Sequence, residues 1–151
     1  MERKETIEKL IASIHKETRA AGLFVHTISE ITGIHSTDIR CLEFLSEAHS
    51  ATAGELGRAT GLTTGAVTAM IDRLENGGFV KREADKKDRR KIIIRLLGIP
   101  KKLKLVREMF SKQIPDILAE YNTAELLLIA NWNIKMAAVF HEKISKLKAK
   151  D

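Results

Sequence analysis

Hydrophobic residues recur every three or four positions near both ends of the chain, with a more broken pattern between them. Within residues 4–31 this spacing predicts one long first helix, which Gly33 ends. Pro100 suits the first turn of a fifth helix, which Pro115 is expected to kink or divide, and a sixth helix is predicted over residues 123–148. The positions expected to face inward in the fifth helix are Leu103, Val106, Phe110, Ile114 and Ile117. The apolar positions that define the sixth helix are Leu126, Leu127, Ile129, Ile134, Ala137, Phe140, Ile144 and Leu147.

Capping signals mark three shorter helices in the middle of the chain. Ser36 is placed to cap the second helix. Thr52 and Glu55 have the spacing of a capping box that opens the third helix, and Thr63 is the predicted N-cap of the fourth. Because only residues 60–63 join the third helix to the fourth, the sequence predicts a helix-turn-helix.

Two segments rich in β-branched residues follow the fourth helix. FVKRE and KIIIRL each fit a strand, and ADKKDRR between them fits the tip of a hairpin. A two-stranded hairpin directly after the second helix of a helix-turn-helix is the arrangement of a winged helix. The predicted fold class is therefore mainly α with a small β-hairpin wing.

The positive charge is concentrated in one segment. The formal net charge of the chain is +6, but residues 81–107 contain twelve Lys or Arg and three Asp or Glu, a net +9. The rest of the chain carries a net −3. Such a local cluster is typical of a surface that binds a polyanion, and we favour nucleic acid over a merely solvated charged face.

The composition is that of a soluble globular chain. Of 151 residues, 44% are hydrophobic and 30% are charged, which suits one domain with long helices. A single cysteine fits a reducing cytoplasm, since no internal disulfide can form. The charged start MERKETIEK lacks the apolar core of a signal peptide, and the longest apolar run, residues 126–130, is too short to span a bilayer.

The segment TAGELGRATGLTTGAVTAMIDRLENGGFVKREADKKDRRKIIIRL, residues 52–96, resembles the core of the MarR family of winged helix-turn-helix transcriptional regulators. GELGRATGL, VTAMIDRLENGGFVKR and DKKDRR carry the resemblance, and the order of helices extends it over nearly the whole chain. It implies one MarR-type unit over residues 1–151, with a DNA-binding region at 36–97 and dimerisation helices at 1–31 and 98–151. The implied function is a sequence-specific DNA-binding regulator, expected to repress by occupying a pseudo-palindromic promoter site.

The fourth helix, residues 63–76, is expected to lie in the major groove, where the N-terminal half of such a helix reaches base edges. Its core positions are Val67, Met70, Ile71 and Leu74. The residues assigned to DNA on the opposite face are Thr64, Gly65, Thr68, Ala69 and Arg73. Thr64 and Thr68 can hydrogen-bond a base or touch a thymine methyl group with their own, whereas Arg73 is better placed for a phosphate. The two small residues permit close approach.

The wing, residues 79–96, is expected to enter the minor groove. Its tip matches the family's Asp-x-Arg motif at Asp88 and Arg90. The resemblance implies that Arg90 inserts into the minor groove and that Asp88 braces the loop or orients an arginine. The remaining wing residues assigned to DNA, through phosphates or as solvated charges, are Lys86, Lys87, Arg89 and Lys91.

The expected partners are double-stranded DNA and a second copy of the chain. The first, fifth and sixth helices have more apolar surface than a lone winged helix requires, so the family's homodimer is favoured over packing on the chain's own domain. The family also implies a small-molecule effector bound between the dimerisation and DNA-binding regions. The segment LLGIP departs from the family pattern after the second strand. The sequence therefore does not decide whether this chain has the family's effector pocket. No cofactor and no membrane partner are expected.

Three alternatives are weaker. Cys41 lies beside apolar positions and has no second cysteine to resolve an oxidised form, so an inert core residue is favoured over a redox sensor. The five histidines lack metal-ligand spacing, which weighs against a metal-responsive regulator. A non-specific architectural protein would share the basic patch but would not need the family's full helix order. No nucleotide-binding or hydrolase motif is present, so no enzyme is predicted.

Overall fold

A computed structural model of the chain describes residues 2–85 and 88–148. Over these residues the chain forms six helices and three strands. In chain order they are α1 (Arg3–Thr32), α2 (Ser36–Ala48), β1 (Ser50–Thr52), α3 (Ala53–Thr60), α4 (Thr64–Asn76), β2 (Val80–Ala84), β3 (Ile92–Leu96), α5 (Lys101–Leu118) and α6 (Thr123–Lys148). The mainly α fold with a β-hairpin wing is therefore confirmed.

The chain divides into two compact units, Met1–Lys104 and Leu105–Asp151. The first unit holds the apolar core, built where α2, α3 and α4 pack together against the sheet. The largest side chains that are fully buried there are Ile39, Leu42, Leu45, Leu56, Met70, Ile71, Val80 and Ile94. This core fixes the surfaces of α4 and of the hairpin that remain exposed.

The sheet has three strands in the order β1-β3-β2, and both pairs are antiparallel. The wing pairs Val80 with Leu96 and Ala84 with Ile92, as the sequence predicts for a hairpin. Strand β1 was not predicted. It has only three residues, and it exists because Ala51 pairs with Ile94 and is buried against it, which is a contact no local pattern encodes.

Helix ends follow the predicted signals with two exceptions. Gly33 and Gly61 end α1 and α3 in the left-handed conformation, with φ of 70° and 78°. The prediction for Ser36 is wrong: His35 is the N-cap of α2, since its carbonyl oxygen accepts from the backbone N–H of Asp38 at 2.9 Å. Pro100 precedes α5 rather than opening it, and its carbonyl oxygen accepts from the Lys104 N–H at 2.9 Å.

Pro115 neither divides α5 nor stops it at once. The helix continues to Leu118, three residues further, and the Pro115 carbonyl oxygen still accepts from the Ala119 N–H at 2.9 Å. The next helix begins at a capping box that the sequence analysis missed. The Asn122 side chain accepts from the Glu125 backbone N–H at 3.1 Å, and the Glu125 carboxylate accepts from the Asn122 N–H at 2.8 Å.

Much of the apolar surface of α5 and α6 is exposed in the single chain. Leu103 is buried as predicted. Phe110, Ile114 and Ile117, which were expected to face inward on α5, are exposed in the single chain. The apolar α6 residues that are likewise exposed are Leu127, Ile134, Ala137, Phe140, Ile144 and Leu147. None of the helices in the described part of the chain combines the length and apolarity needed to cross a membrane.

The two predicted threonine caps give a matched test of helix stability. The Thr52 hydroxyl accepts from the Glu55 N–H at 3.3 Å in a complete capping box, whereas Thr63 makes no side-chain cap hydrogen bond. Thr52→Ala is therefore expected to lower the free energy of unfolding by about 1 kcal/mol, and Thr63→Ala by a few tenths at most. Urea unfolding of both variants measures the difference, and equal losses would contradict the capping argument.

Candidate nucleic-acid interface

Helix α4 has one buried face and one exposed face. Val67, Met70, Ile71 and Leu74 are buried, as predicted. The exposed positions are Thr64, Gly65, Thr68, Ala69, Asp72 and Arg73. The residues assigned to DNA on this helix therefore share one accessible surface, as a helix that enters a groove requires.

The centre of that surface is small and weakly polar. The Thr68 hydroxyl donates to the carbonyl oxygen of Thr64 at 3.1 Å. A Cβ atom added to Gly65 would meet nothing within 4 Å. Packing within the chain thus does not require glycine at this position, although glycine inside a helix is less favourable than alanine by roughly 0.5–1 kcal/mol.

Arg73 is joined to a buried carboxylate on another helix. Its Nε and Nη2 donate to the two oxygens of Asp38 at 3.1 and 2.6 Å. The Asp38 side chain is 6% exposed and that of Arg73 42%. This hydrogen bonding raises the pKa of Arg73. The pair ties α4 to α2, so only the Nη1 hydrogens and the second Nη2 hydrogen of the guanidinium are left for the phosphate contact assigned from the sequence.

A second arginine connects α4 to the wing. From β2, Arg82 donates to the Asp72 carboxylate at 2.5 Å and also to the Glu75 carboxylate, which accepts the Arg82 backbone N–H at 2.7 Å. The backbone bond is the main reason the pKa of Glu75 is lowered. Asp72 and Glu75 lie one turn apart on α4, so one guanidinium fixes the direction in which the wing leaves the helix.

The tip of the wing is a hydrogen-bonded turn. The Asp88 backbone N–H donates to the Asp85 carboxylate at 3.0 Å, and the Asp88 carboxylate accepts from the Arg90 backbone N–H at 3.2 Å. The Lys91 N–H donates to the Asp88 carbonyl oxygen at 2.9 Å. Asp88 therefore braces the turn that carries Arg90, which is the first of its two expected roles.

The cations of the basic segment differ in what they contact. Glu83 pairs with Lys81 along β2 and with Arg95 across the hairpin on β3, and hydrogen bonds from these two side chains lower the pKa of Glu83. Arg89 and Arg90 are exposed, and no carboxylate in the described chain pairs with either guanidinium. The strands thus hold their cations in ion pairs, and the tip keeps two arginines available. The predicted contacts of Lys86 and Lys87 lie outside the described residues.

Three carboxylates that engage Arg73 and Arg82 were not predicted from the sequence: Asp38 pairs with Arg73, and Asp72 and Glu75 pair with Arg82. Asp38 precedes Arg73 by 35 residues and Asp72 precedes Arg82 by 10. The first pair leaves no local signal. The helical period of α4 is enough to place Asp72 and Glu75 on its C-terminal half, but it does not indicate that Arg82 is their partner.

Cys41 is fully buried in the core of the first unit. Desolvation, and then the nearby Asp38 carboxylate, raise the pKa of its thiol to about 12. The reactive thiolate is therefore very scarce at neutral pH.

We expect peroxide to leave DNA binding by the parent unchanged, and Cys41→Ala to bind as the parent does. A peroxide-induced loss of binding that disappears in Cys41→Ala would contradict this. In the described chain, no three His, Cys, Asp or Glu side chains are grouped as metal ligands.

Helix α4 is accessible and follows a tight turn after α3, and a hairpin with arginines at its tip is fixed beside it. These features define a winged helix-turn-helix protein. The sequence pattern of the MarR family matches residues 32–91. The chain is 41% identical over 127 residues to YcgE of Bacillus subtilis (strain 168), an uncharacterized HTH-type transcriptional regulator; the match covers 83% of this chain and 82% of the relative. The chain belongs to the MarR family and is a transcriptional regulator rather than an enzyme.

Solved structures agree with the fold. A MarR family protein from Bacillus stearothermophilus superimposes with a TM-score of 0.62 at 20% identity, covering 93% of this chain and 99% of the other. NadR, crystallised in complex with 4-hydroxyphenylacetate, superimposes with a TM-score of 0.60 at 19% identity, covering 83% of this chain and 90% of the other.

Proposed function

We propose that this regulator binds a pseudo-palindromic operator as a homodimer and represses by occupying the promoter. In this proposal α4 enters the major groove of each half-site and the wing enters the adjacent minor groove. The observation that carries it is the distribution of cations in the hairpin. Lys81 and Arg95 share the Glu83 carboxylate within the strands, whereas Arg89 and Arg90 at the tip have no acidic partner in the described chain.

The shape of α4 supports insertion into the major groove. The residues that face outward in its first two turns are short, which lets the helix backbone come near the base edges. Gly65 has open space around it, so its lack of a side chain is better explained by the approach of DNA than by packing. Asp72 would repel phosphates as a free carboxylate, but its ion pair with Arg82 reduces that repulsion.

Exposed apolar side chains on α1 and α6 support a dimer. On α1 they include Leu10, Leu23 and Ile31, which are 51%, 66% and 65% exposed. On α6 they include Leu128 and Leu147, at 71% and 68%. Large apolar side chains exposed in this number on long helices favour an association site. A second copy is the occupant we propose, since a two-fold reader matches a two-fold operator.

Sedimentation tests the dimer directly. At micromolar concentration the protein is expected to sediment as a species of twice the 16.9 kDa chain mass. Deleting residues 1–20 removes about two thirds of α1 and should weaken both self-association and operator binding. A stable, soluble monomer that still binds operator with full affinity would contradict the proposal.

Selection of bound genomic fragments, followed by competition between the selected operator and random DNA, tests the function. A specific regulator is expected to prefer its operator by roughly a thousandfold or more at physiological salt. Equal affinity for both DNAs would instead support the architectural alternative. Reporter transcription from the selected promoter is expected to rise when the gene is deleted, and a fall would identify an activator.

We include a small-molecule effector in the proposal because the structurally similar NadR was crystallised with 4-hydroxyphenylacetate. An effector can release DNA only if it binds better to the DNA-free arrangement of the two reading helices than to the bound one. Titration of the operator complex with 4-hydroxyphenylacetate and related aromatic acids is the corresponding test. Release by none of these acids would argue against an effector of this class.

A further inference from the structure

We propose that Thr68 sets the base preference of α4 through its Cγ2 methyl group, which would contact the C5 methyl group of a thymine. The inference rests on the proposed function, in which the exposed face of α4 enters the major groove. A threonine can address a base pair in two chemically different ways. Its hydroxyl can exchange a hydrogen bond with a base edge, or its methyl group can pack on thymine.

The hydrogen bonding of Thr68 favours the methyl group. Its hydroxyl proton is donated to the Thr64 carbonyl oxygen at 3.1 Å, and a hydroxyl has only one proton to give. The base acceptors in the groove, such as guanine O6 or thymine O4, therefore gain nothing from it in this conformation. Since Oγ1 is turned to the helix backbone, the methyl group is what the exposed side chain offers to a groove.

The side chains beside Thr68 at positions 65, 69 and 72 offer no donor, and the neighbouring donor on this face is the Thr64 hydroxyl, one turn earlier. Gly65, one turn earlier, and Ala69 carry no polar side-chain atom. Asp72, one turn later, can only accept hydrogen bonds, and its carboxylate is already engaged by Arg82 at 2.5 Å. The middle of this face is thus an apolar methyl-bearing surface, which matches the one apolar feature that a base pair shows in the major groove, the thymine C5 methyl group.

Two consequences distinguish a contact between the two methyl groups from a hydrogen bond made by the Thr68 hydroxyl. An A·T pair is expected opposite Thr68 in each half-site, and removal of either methyl group should weaken binding by the same amount. Loss of one buried methyl contact corresponds to about threefold to fivefold in affinity. For both half-sites of a symmetric operator, the combined loss is about tenfold to twentyfold.

Deoxyuridine, which is thymidine without the C5 methyl group, provides the test. The selected operator duplex is synthesised with deoxyuridine replacing one thymine at a time, symmetrically in both half-sites. Affinity is measured for the parent, for Thr68→Val, which keeps the methyl shape and loses the hydroxyl, and for Thr68→Ser, which does the reverse. Thr68 is exposed on its helix, so both variants are expected to fold, and thermal unfolding verifies this.

One thymine position is expected to lose tenfold to twentyfold on substitution with the parent and with Thr68→Val, and to lose little with Thr68→Ser. Deoxyuridine sensitivity that persists in Thr68→Ser overturns the inference, because a group other than the Thr68 methyl then contacts the thymine. Sensitivity that disappears in Thr68→Val also overturns it, because the contact then depends on the hydroxyl. Insensitivity of the parent at every thymine, with preference for the operator intact, overturns the inference alone. Loss of any preference for operator over random DNA overturns the proposed function and the inference together.

Discussion

Replacing Arg90 by alanine is expected to weaken binding to the operator by about 1–3 kcal/mol per subunit. Asp88 holds the backbone at Arg90 through a 3.2 Å hydrogen bond, and no carboxylate of the described chain neutralises its guanidinium. An arginine presented in this way suits a narrow minor groove, where the negative potential is strongest. Since the proposed dimer would place two wings on each operator, the loss is expected twice for each operator.

Two control variants separate charge from shape. Arg90→Lys keeps the charge but not the planar donor fork, so it should retain the salt dependence of binding and lose part of the preference for A·T in the minor groove. Arg89→Ala should weaken binding to all sequences alike and reduce the salt slope by about 1 per lost phosphate contact. Affinities for operator and random DNA across a salt series measure all three. If Arg90→Ala binds operator as tightly as the parent at moderate salt, the wing is only a solvated loop.

Loss of Arg73 is expected to destabilise the fold more than any other surface-facing change on α4. Arg73→Ala would leave the Asp38 carboxylate buried without its cation. Removing one partner of a fully buried pair costs about 3–5 kcal/mol. Because 42% of the Arg73 side chain is exposed, water can reach the vacated position, and we expect a reduced loss of about 2–3 kcal/mol.

A second substitution tests whether the buried Asp38 carboxylate causes the loss of stability in Arg73→Ala. Asp38→Leu in the Arg73→Ala background removes the stranded carboxylate and should restore part of the stability, whereas additive losses would mean that the two residues do not interact. Urea unfolding of both single variants and the double variant gives the coupling energy. A loss below about 0.5 kcal/mol in Arg73→Ala would show that Arg73 is free for a phosphate, as the sequence alone suggested.

Features that depend on a few neighbouring residues were predictable from the sequence. The capping box at Thr52, the left-handed glycine at Gly61 and the buried stripe of α4 all follow from spacings of seven residues or fewer. The exception at Ser36 is also local, since Ser36 and His35 are both adjacent to the helix start and only the backbone geometry selects between them. The candidate DNA contacts at Arg90 and Thr68 came from the motif and from helical periodicity.

What the sequence determined by itself is the order of the elements, most of their ends, the exposed face of α4 and the family, because these depend on local hydrogen bonding and on the period of apolar positions. The tertiary structure decided which charges are already paired. Asp38 meets Arg73 across 35 residues, and Arg82 joins α4 to the wing. It also decided that β1 forms, since a three-residue strand depends on pairing with β3. Ion pairs and strand pairs between distant segments form only when the core brings those segments together, so no local pattern could specify them.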